Sequence, residues 1–155
     1  MEHHDRFVSS VSFSWDGSSL ASVSNDKSLV LSRIETNSDD QNSPGLGRQR
    51  SVRGQESLLH TRTSETKLTN RVLSKKAHDS DVSALLWLSD DTLISTGTDK
   101  TVKIWKDRSH LQFETALQSK HDSPIYAMAF DGNTRGLITA STDGVANGWD
   151  VSVRS

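Results

Sequence analysis

The chain has 155 residues and a mass of 17.1 kDa, which is enough for one domain. Its 18 basic and 20 acidic residues leave a net charge of −2, which excludes a generally basic nucleic-acid coat and a polyanionic tail protein. The absence of cysteine excludes disulfide scaffolds, cysteine zinc sites and thiol nucleophiles, and a hydrophobic fraction of only 32% implies a thin core or a partly disordered chain.

Residues 1–34 form the first of three similar segments. A His-Asp pair is followed by an apolar-x-x-apolar-x-aromatic run, a short polar turn, a strand-like piece, a second turn that contains an aspartate, and a final strand-like piece. This order predicts short strands joined by tight turns. The markers of the segment are His4-Asp5, Val8, Val11, Phe13, Leu20 to Ser24 and Asp26.

Residues 35–68 separate this segment from the next one. They are rich in serine, threonine, asparagine, glutamine and glycine, which predicts a long disordered loop. Ser51 lies among Arg48, Arg50 and Arg53, so it is a candidate site for a basophilic kinase; the alternative is a solvated loop with chance arginines. The basic segment 48–53 could also touch RNA, but no aromatic residue lies among its arginines to stack on a base.

Residues 69–106 and 107–155 repeat the pattern of the first segment, with 43 residues between the two histidines. Further strands are predicted before these histidines, at about Thr69 to Lys75 and Leu111 to Gln118. Four short strands in about 43 residues are typical of a propeller blade. The sequence therefore predicts an all-β fold of three four-stranded antiparallel blades in an incomplete ring, in which the third repeat lacks its last strand.

Four chemical groups recur at matching places, with 22, 21 and 22 residues from histidine to aspartate. They resemble the His, Ser/Thr, Asp and Trp set of the WD40-repeat family, and the resemblance covers most of the chain. The second and third sets are complete, whereas the first has Ser32 in the place of tryptophan. The sets are His78, Ser95, Asp99 and Trp105; His121, Thr139, Asp143 and Trp149; and His4, Ser22 and Asp26.

The resemblance implies that each set forms a hydrogen-bond network that ties strands together, and that the protein is an interaction scaffold. It also implies a partner-binding surface at the narrow end of the ring, formed by the positions three and five after each histidine and the position before each aspartate. Phe7 and Tyr126 are the expected anchors of that surface, since aromatic residues dominate interface energetics. The full candidate set is Phe7, Ser9, Asn25, Asp81, Ser83, Thr98, Tyr126 and Thr142.

Three other interpretations compete with an interaction scaffold: a hydrolase, a metal site and a nucleic-acid-associated complex. His78, Ser95 and Asp99 could be taken for a hydrolase triad, but the set recurs in every repeat, whereas an enzyme normally has one active site. His3 and His4 would point to opposite faces of a strand, which argues against a metal site. We therefore expect no enzyme activity, no cofactor and no metal, and a nucleic-acid-associated complex remains the alternative function.

Three blades do not close a ring, because propellers typically have four to eight. The chain is therefore expected to be a portion of a longer propeller, a truncated form, or a chain that completes a ring with partners. Its partners are expected to be other proteins, with self-association through open sheet edges as one route. No apolar segment is long enough to span a membrane, so we expect an intracellular protein of the cytoplasm or nucleus.

Overall fold

The computed structural model describes residues 4–36, 66–74, 76–107, 111–117 and 120–151. These residues contain eleven strands in three separate antiparallel sheets. No helix in the described ranges is long and apolar enough to cross a membrane. The predicted all-β class is confirmed.

Each sheet is a meander of consecutive strands, and we call the three sheets blades one, two and three. Blade one consists of β1 (Val8–Phe13), β2 (Ser19–Ser24), β3 (Leu29–Thr36) and β4 (Thr66–Ser74). Blade two consists of β5 (Val82–Ser89), β6 (Thr92–Gly97), β7 (Val102–Asp107) and β8 (Leu111–Leu117). Blade three consists of β9 (Ile125–Asp131), β10 (Gly136–Ser141) and β11 (Ala146–Asp150).

The sheets are offset from the sequence repeats by one strand. The first strand of the second repeat, β4, pairs with β3 and so completes blade one, and β8 completes blade two in the same way. β3 and β4 also extend a few residues into the insertion predicted at 35–68. Residues 37–65, with Ser51 and the basic segment 48–53, lie outside the described residues.

The core consists of two apolar layers, one on each face of blade two. The layer between blades one and two contains Leu85, Trp87, Leu93 and Trp105 of blade two, packed with Ala21, Val23, Leu29 and Leu31 of blade one. The layer between blades two and three contains Leu88, Ile94 and Val102 of blade two, packed with Ile125 and Leu137 of blade three. Blade two is therefore covered on both faces, and the three blades do not form a closed ring.

Candidate functional site

Blade two contains a continuous chain of hydrogen bonds through all four residues of its predicted set. Trp105 Nε1 donates to Ser95 Oγ at 2.8 Å, and Ser95 Oγ lies 2.7 Å from His78 Nε2. Because the Asp99 carboxylate beside Nδ1 can only accept, the imidazole proton lies on Nδ1, and Nε2 accepts from the Ser95 hydroxyl. Nδ1 lies 2.9 Å from Asp99 Oδ2, so the carboxylate accepts that proton's hydrogen bond.

Blade three brings its four residues together with one extra link. Trp149 Nε1 donates to Thr139 Oγ1 at 2.9 Å, and Thr139 Oγ1 lies 2.8 Å from His121 Nε2. His121 Nδ1, however, lies 3.0 Å from Ser141 Oγ, and that hydroxyl donates to Asp143. A serine hydroxyl therefore relays the contact that the histidine and aspartate make directly in blade two.

Blade one has no indole in its network, and a hydroxyl again lies between histidine and aspartate. His4 Nε2 is 2.8 Å from Ser22 Oγ, as in the other blades. Its Nδ1 is 2.7 Å from Ser28 Oγ, which donates to Asp26, and 3.4 Å from the Asp26 carboxylate itself. Ser32, at the tryptophan position, is buried.

Two neighbouring positions explain why the networks differ. At the end of β6, a Cβ on Gly97 would lie 2.9 Å from His78 Nδ1 and 3.0 Å from Asp99 Oδ1, so only glycine leaves room for the direct contact. Blade three has Ser141 at this position, and its hydroxyl enters the gap. Two residues after the aspartate, Thr101 donates to Asp99 as Ser28 does to Asp26, whereas blade three has Val145 there.

Neither position belongs to the predicted sets. The repeated Asp-Lys-Ser/Thr turn at residues 26–28 and 99–101 was an available signal for the second one, because an aspartate commonly accepts from the backbone N–H two residues later and so brings that residue's hydroxyl near its carboxylate.

The networks stabilise the ionised carboxylates. Burial alone would raise the pKa of Asp99, but hydrogen bonds from His78 and Thr101 outweigh it and hold the pKa far below its usual value of 3.8. Burial opposes ionisation of Asp26 as well, yet hydrogen bonds from Ser28 and from the backbone of Asp5 lower its pKa to about 2. Asp143 is exposed, and the Ser141 hydroxyl is the main cause of its lowered pKa.

The blade-two network is unsuited to hydrolysis. Ser95 and His78 are fully buried, so no substrate reaches the serine oxygen. That oxygen also accepts a hydrogen bond from the Trp105 indole N–H, and Ser95 lies within strand β6. In the described part of the chain, no group of three or more metal-ligating side chains is placed to hold an ion.

The candidate surface residues lie at one end of the three sheets. In each blade this is the end where the inner strand (β1, β5 or β9) begins and the next strand finishes, as the pairs Val8 with Ser24, Val82 with Gly97 and Ile125 with Ser141 show. The backbone N–H groups of Asn25 and Thr98 donate to the carbonyls of Phe7 and Asp81. Thr142 makes the equivalent bond to Pro124.

The position five after each histidine is a β-bulge in all three blades. The pairing register shifts between Val8 and Ser10, between Val82 and Ala84, and opposite Ile125 and Ala127, so Ser9, Ser83 and Tyr126 are the extra residues. A bulge redirects its side chain, and the two serines use this to reach the next blade. Ser9 Oγ donates to the carbonyl of Val82, and Ser83 Oγ donates to that of Ile125 at 2.5 Å.

Tyr126 is the exception among the three bulges, with 56% of its surface exposed; Phe7 is 74% exposed. Ser9 and Ser83 were predicted to share a partner-binding surface with these aromatics, because the direction of a side chain at a bulge cannot be inferred from spacing.

A pair of indoles, which the repeat pattern did not point to, joins blades one and two. Trp15 Nε1 donates to the Trp87 carbonyl, and Trp87 Nε1 donates to the Ser12 carbonyl, both at 3.2 Å. The outer edge of the Trp15 ring also lies beside Gly132 of blade three. The turn after β1 therefore contacts both other blades.

Comparison with known proteins agrees with this architecture. The family described as "WD domain, G-beta repeat" matches residues 1–31, 69–106 and 114–150. The DENN domain and WD repeat-containing protein SCD1 of Arabidopsis thaliana is 35% identical over 86 residues, which are 55% of this chain and 7% of that protein.

Two fungal proteins are also similar. The ribosome biogenesis protein YTM1 of Chaetomium thermophilum is 30% identical over 87 residues, or 53% of this chain and 18% of that protein. The protein hir-1 of Neurospora crassa is 29% identical over 150 residues, or 92% of this chain and 12% of that protein. The chain thus spans less than a fifth of the length of each of these relatives. Because the matched segments cover more than half of its residues, the chain belongs to the WD40 repeat family.

Proposed function

We propose that this chain is a protein-interaction scaffold, a subunit of a larger complex that presents the loop end of its blades to a protein partner. The proposal rests on the exposure of Phe7 and Tyr126 at the same end of the blades. Backbone hydrogen bonds hold the neighbouring loops at that end. The relatives support an assembly role, since one is named for ribosome biogenesis and another combines WD repeats with a DENN domain.

The contact surface in this proposal has two aromatic anchors with polar groups between them. Asn25, Thr98 and Thr142 precede the turn aspartates, and their backbone N–H groups are already bonded, so these loops are ordered before a partner arrives. An ordered surface loses little conformational entropy on binding, which favours affinity. We assign Ser9 and Ser83 to contacts between blades, because their hydroxyls are bonded there.

The test is quantitative partner capture from native extract with the double variant Phe7→Ala/Tyr126→Ala. Hot-spot aromatics typically cost 2 kcal/mol or more on truncation, so the partners enriched by the unmodified chain should be depleted about tenfold or more. Phe113→Ala is the control, because Phe113 is similarly exposed but lies on the outer strand β8. Unchanged capture by the double variant would contradict the proposed surface.

A second candidate function is a subunit of a nucleic-acid-associated complex that uses the basic segment 48–53. The similarity to a ribosome biogenesis protein and the three arginines of that segment favour it. Contacts to phosphates make affinity fall steeply with salt, so RNA binding should have a salt slope that Arg48→Ala/Arg50→Ala/Arg53→Ala reduces. Absence of RNA binding at low salt would dismiss this function.

We also propose that the protein works inside the cell without catalysis, and that Ser51 is phosphorylated by a basophilic kinase. The buried Ser95 supports the absence of catalysis by the blade-two network, and the three arginines around Ser51 support its phosphorylation. Mass spectrometry of the protein from cells tests the modification, and an unmodified Ser51 under all conditions would remove it.

A further inference from the structure

Both contacts between neighbouring blades use the same pair of faces. The face of blade two that carries Ser95 and Trp105 packs on blade one, and the face of blade three that carries Leu137 and Trp149 packs on the far side of blade two. We call the side of each sheet that carries its hydrogen-bond network the network face. In each contact, one blade thus packs with its network face and the other with its opposite face. In the described part of the chain, no blade packs on the network face of blade one or on the opposite face of blade three.

Equivalent residues take part in both apolar layers. The aromatic residue nine positions after the histidine is Trp87 in blade two and Phe130 in blade three. Trp87 lies in the same apolar layer as Ala21, and Phe130 in the same layer as Ile94; Ala21 and Ile94 both directly precede the network hydroxyl residue. The remaining equivalents are Phe13 on blade one and Ile138 on blade three, which are 62% and 55% exposed.

The two open faces are complementary in chemistry and in size. If Phe13 packed against Ile138, a phenylalanine would again lie beside an isoleucine, as Phe130 and Ile94 do in the layer between blades two and three. Around Phe13 the open face of blade one carries a bulky residue, Val11, which is 60% exposed. Around Ile138 the open face of blade three carries small residues, since Ile138 pairs with Ala129 and Gly148. The bulky side chains on the open face of blade one therefore match the small side chains on the open face of blade three.

We propose that two copies of this chain associate head to tail, with Phe13 of each copy packed against Ile138 of the other. Two such contacts close a ring of six blades, which lies within the usual range for propellers. Each copy buries both of its open faces in this arrangement. The association does not depend on the partner surface proposed above, because Phe7 and Tyr126 lie at the loop ends of the blades.

The experiment is sedimentation velocity on the purified chain and on two charge variants. The unmodified chain should sediment at twice its mass of 17.1 kDa. Phe13→Lys and Ile138→Glu should each be monomeric, because each change affects both contacts of the dimer. An equal mixture of the two variants should recover the dimer, since one contact is then unmodified and the other pairs a lysine with a glutamate. Glu114→Lys, an exposed change on β8, is the control and should stay dimeric.

A cross-linking measurement distinguishes the arrangement independently of those variants. The chain has no cysteine, so Phe13→Cys and Ile138→Cys variants each carry a single thiol. Oxidation of their mixture should give the mixed disulfide dimer in large excess over either homodimer. A preference for a Phe13→Cys homodimer would overturn the head-to-tail contact. An unmodified chain that stays monomeric at all concentrations, or that pairs only with a different polypeptide, would overturn the second copy as the occupant.

Discussion

The three histidines differ in their distance from an ionised carboxylate, and this difference decides what each network contributes. His78 meets Asp99 directly at 2.9 Å, whereas hydroxyls lie between His4 and Asp26 and between His121 and Asp143. A hydrogen bond to a charged acceptor is stronger than one between neutral groups. The Asp99 side chain is also mostly buried, whereas Asp143 is exposed. We therefore expect the blade-two network to stabilise the fold most.

Asp99→Ala should lower the free energy of unfolding more than Asp143→Ala does. The first change leaves the buried His78 Nδ1–H without its carboxylate acceptor, at a typical cost of about 1–3 kcal/mol. The second removes an exposed carboxylate that accepts from a serine hydroxyl, so its effect should be clearly smaller. Urea denaturation of the two variants checks this order, and equal losses would contradict it.

Asp26 should make the stability of the fold depend on acid pH. Its pKa is about 2 in the folded chain against a usual 3.8, so folding favours the ionised form. Its contribution is therefore fully present above about pH 4 and is lost as the pH falls towards 2. The difference in unfolding free energy between the unmodified chain and Asp26→Asn should shrink over that interval. A difference that is constant or grows on acidification would contradict the assignment.

At the scale of strands, bulges and turn residues determine how the blades are joined. The bulges at Ser9 and Ser83 send a hydroxyl to the first carbonyl of the next inner strand. Lys27, in the turn after β2, has a left-handed backbone with φ of 72°. Its carbonyl accepts from Ala77 N, and its ammonium group donates to the Asp79 carbonyl in the loop before β5. Short polar contacts thus supplement the thin apolar layers.

Ser83→Ala should weaken the contact between blades two and three. The substitution leaves the Ile125 carbonyl without the serine hydroxyl, and a hydrogen bond of this kind is typically worth about 0.5–1.5 kcal/mol. Ser80→Ala, in the loop before β5, is the comparison, since the Ser80 hydroxyl bonds to Thr98 within blade two. Thermal unfolding measures both, and a larger loss for Ser80→Ala would contradict the role given to Ser83.

Gly97→Ala should disrupt the blade-two network without removing any of its four groups. The added methyl would come within 3.0 Å of the Asp81 carbonyl, His78 Nδ1 and Asp99 Oδ1, so the histidine and the aspartate must separate. A loss of stability comparable to that of Asp99→Ala is expected. Gly148→Ala is the control, because nothing in the chain lies within 4 Å of its added methyl. Both glycine variants are compared in the monomeric Phe13→Lys background, since Gly148 lies on the open face of blade three. Equal stability of both glycine variants in urea would contradict this account.

Much of the strand pattern could be predicted from particular residues, and some of the site could not. The spacing from His78 to Asp99 and Trp105 indicates three strands, and the alternation after Thr101 is typical of β-structure. That β4 completes blade one rather than blade two depends on contacts distant in the sequence. The link from His121 through Ser141 to Asp143 depends on whether one side chain fits between the histidine and the aspartate. The spacing of residues in the sequence does not show this.

For the molecule as a whole, the distribution of packing makes blade two its centre. It has apolar layers on both faces and the direct His78–Asp99 contact. Blades one and three each have one open face with large apolar residues exposed, among them Val11, Phe13 and Ile138. A repeat array is stabilised mainly by contacts between neighbours, so the central blade should be the most stable. The loop surface proposed for partners is then held in place mainly by blade two.

Native-state amide hydrogen exchange compares the stability of blade two with that of its two neighbours. In the monomeric Phe13→Lys variant, the slowest-exchanging amides should lie in β6 and β7, with faster exchange in β2 and β10 although these are also middle strands of their sheets. Protection of β2 and β10 should rise under conditions in which the open faces are covered, whereas that of β6 should change least. Slower exchange in β2 or β10 than in β6 of the monomeric chain would contradict the account.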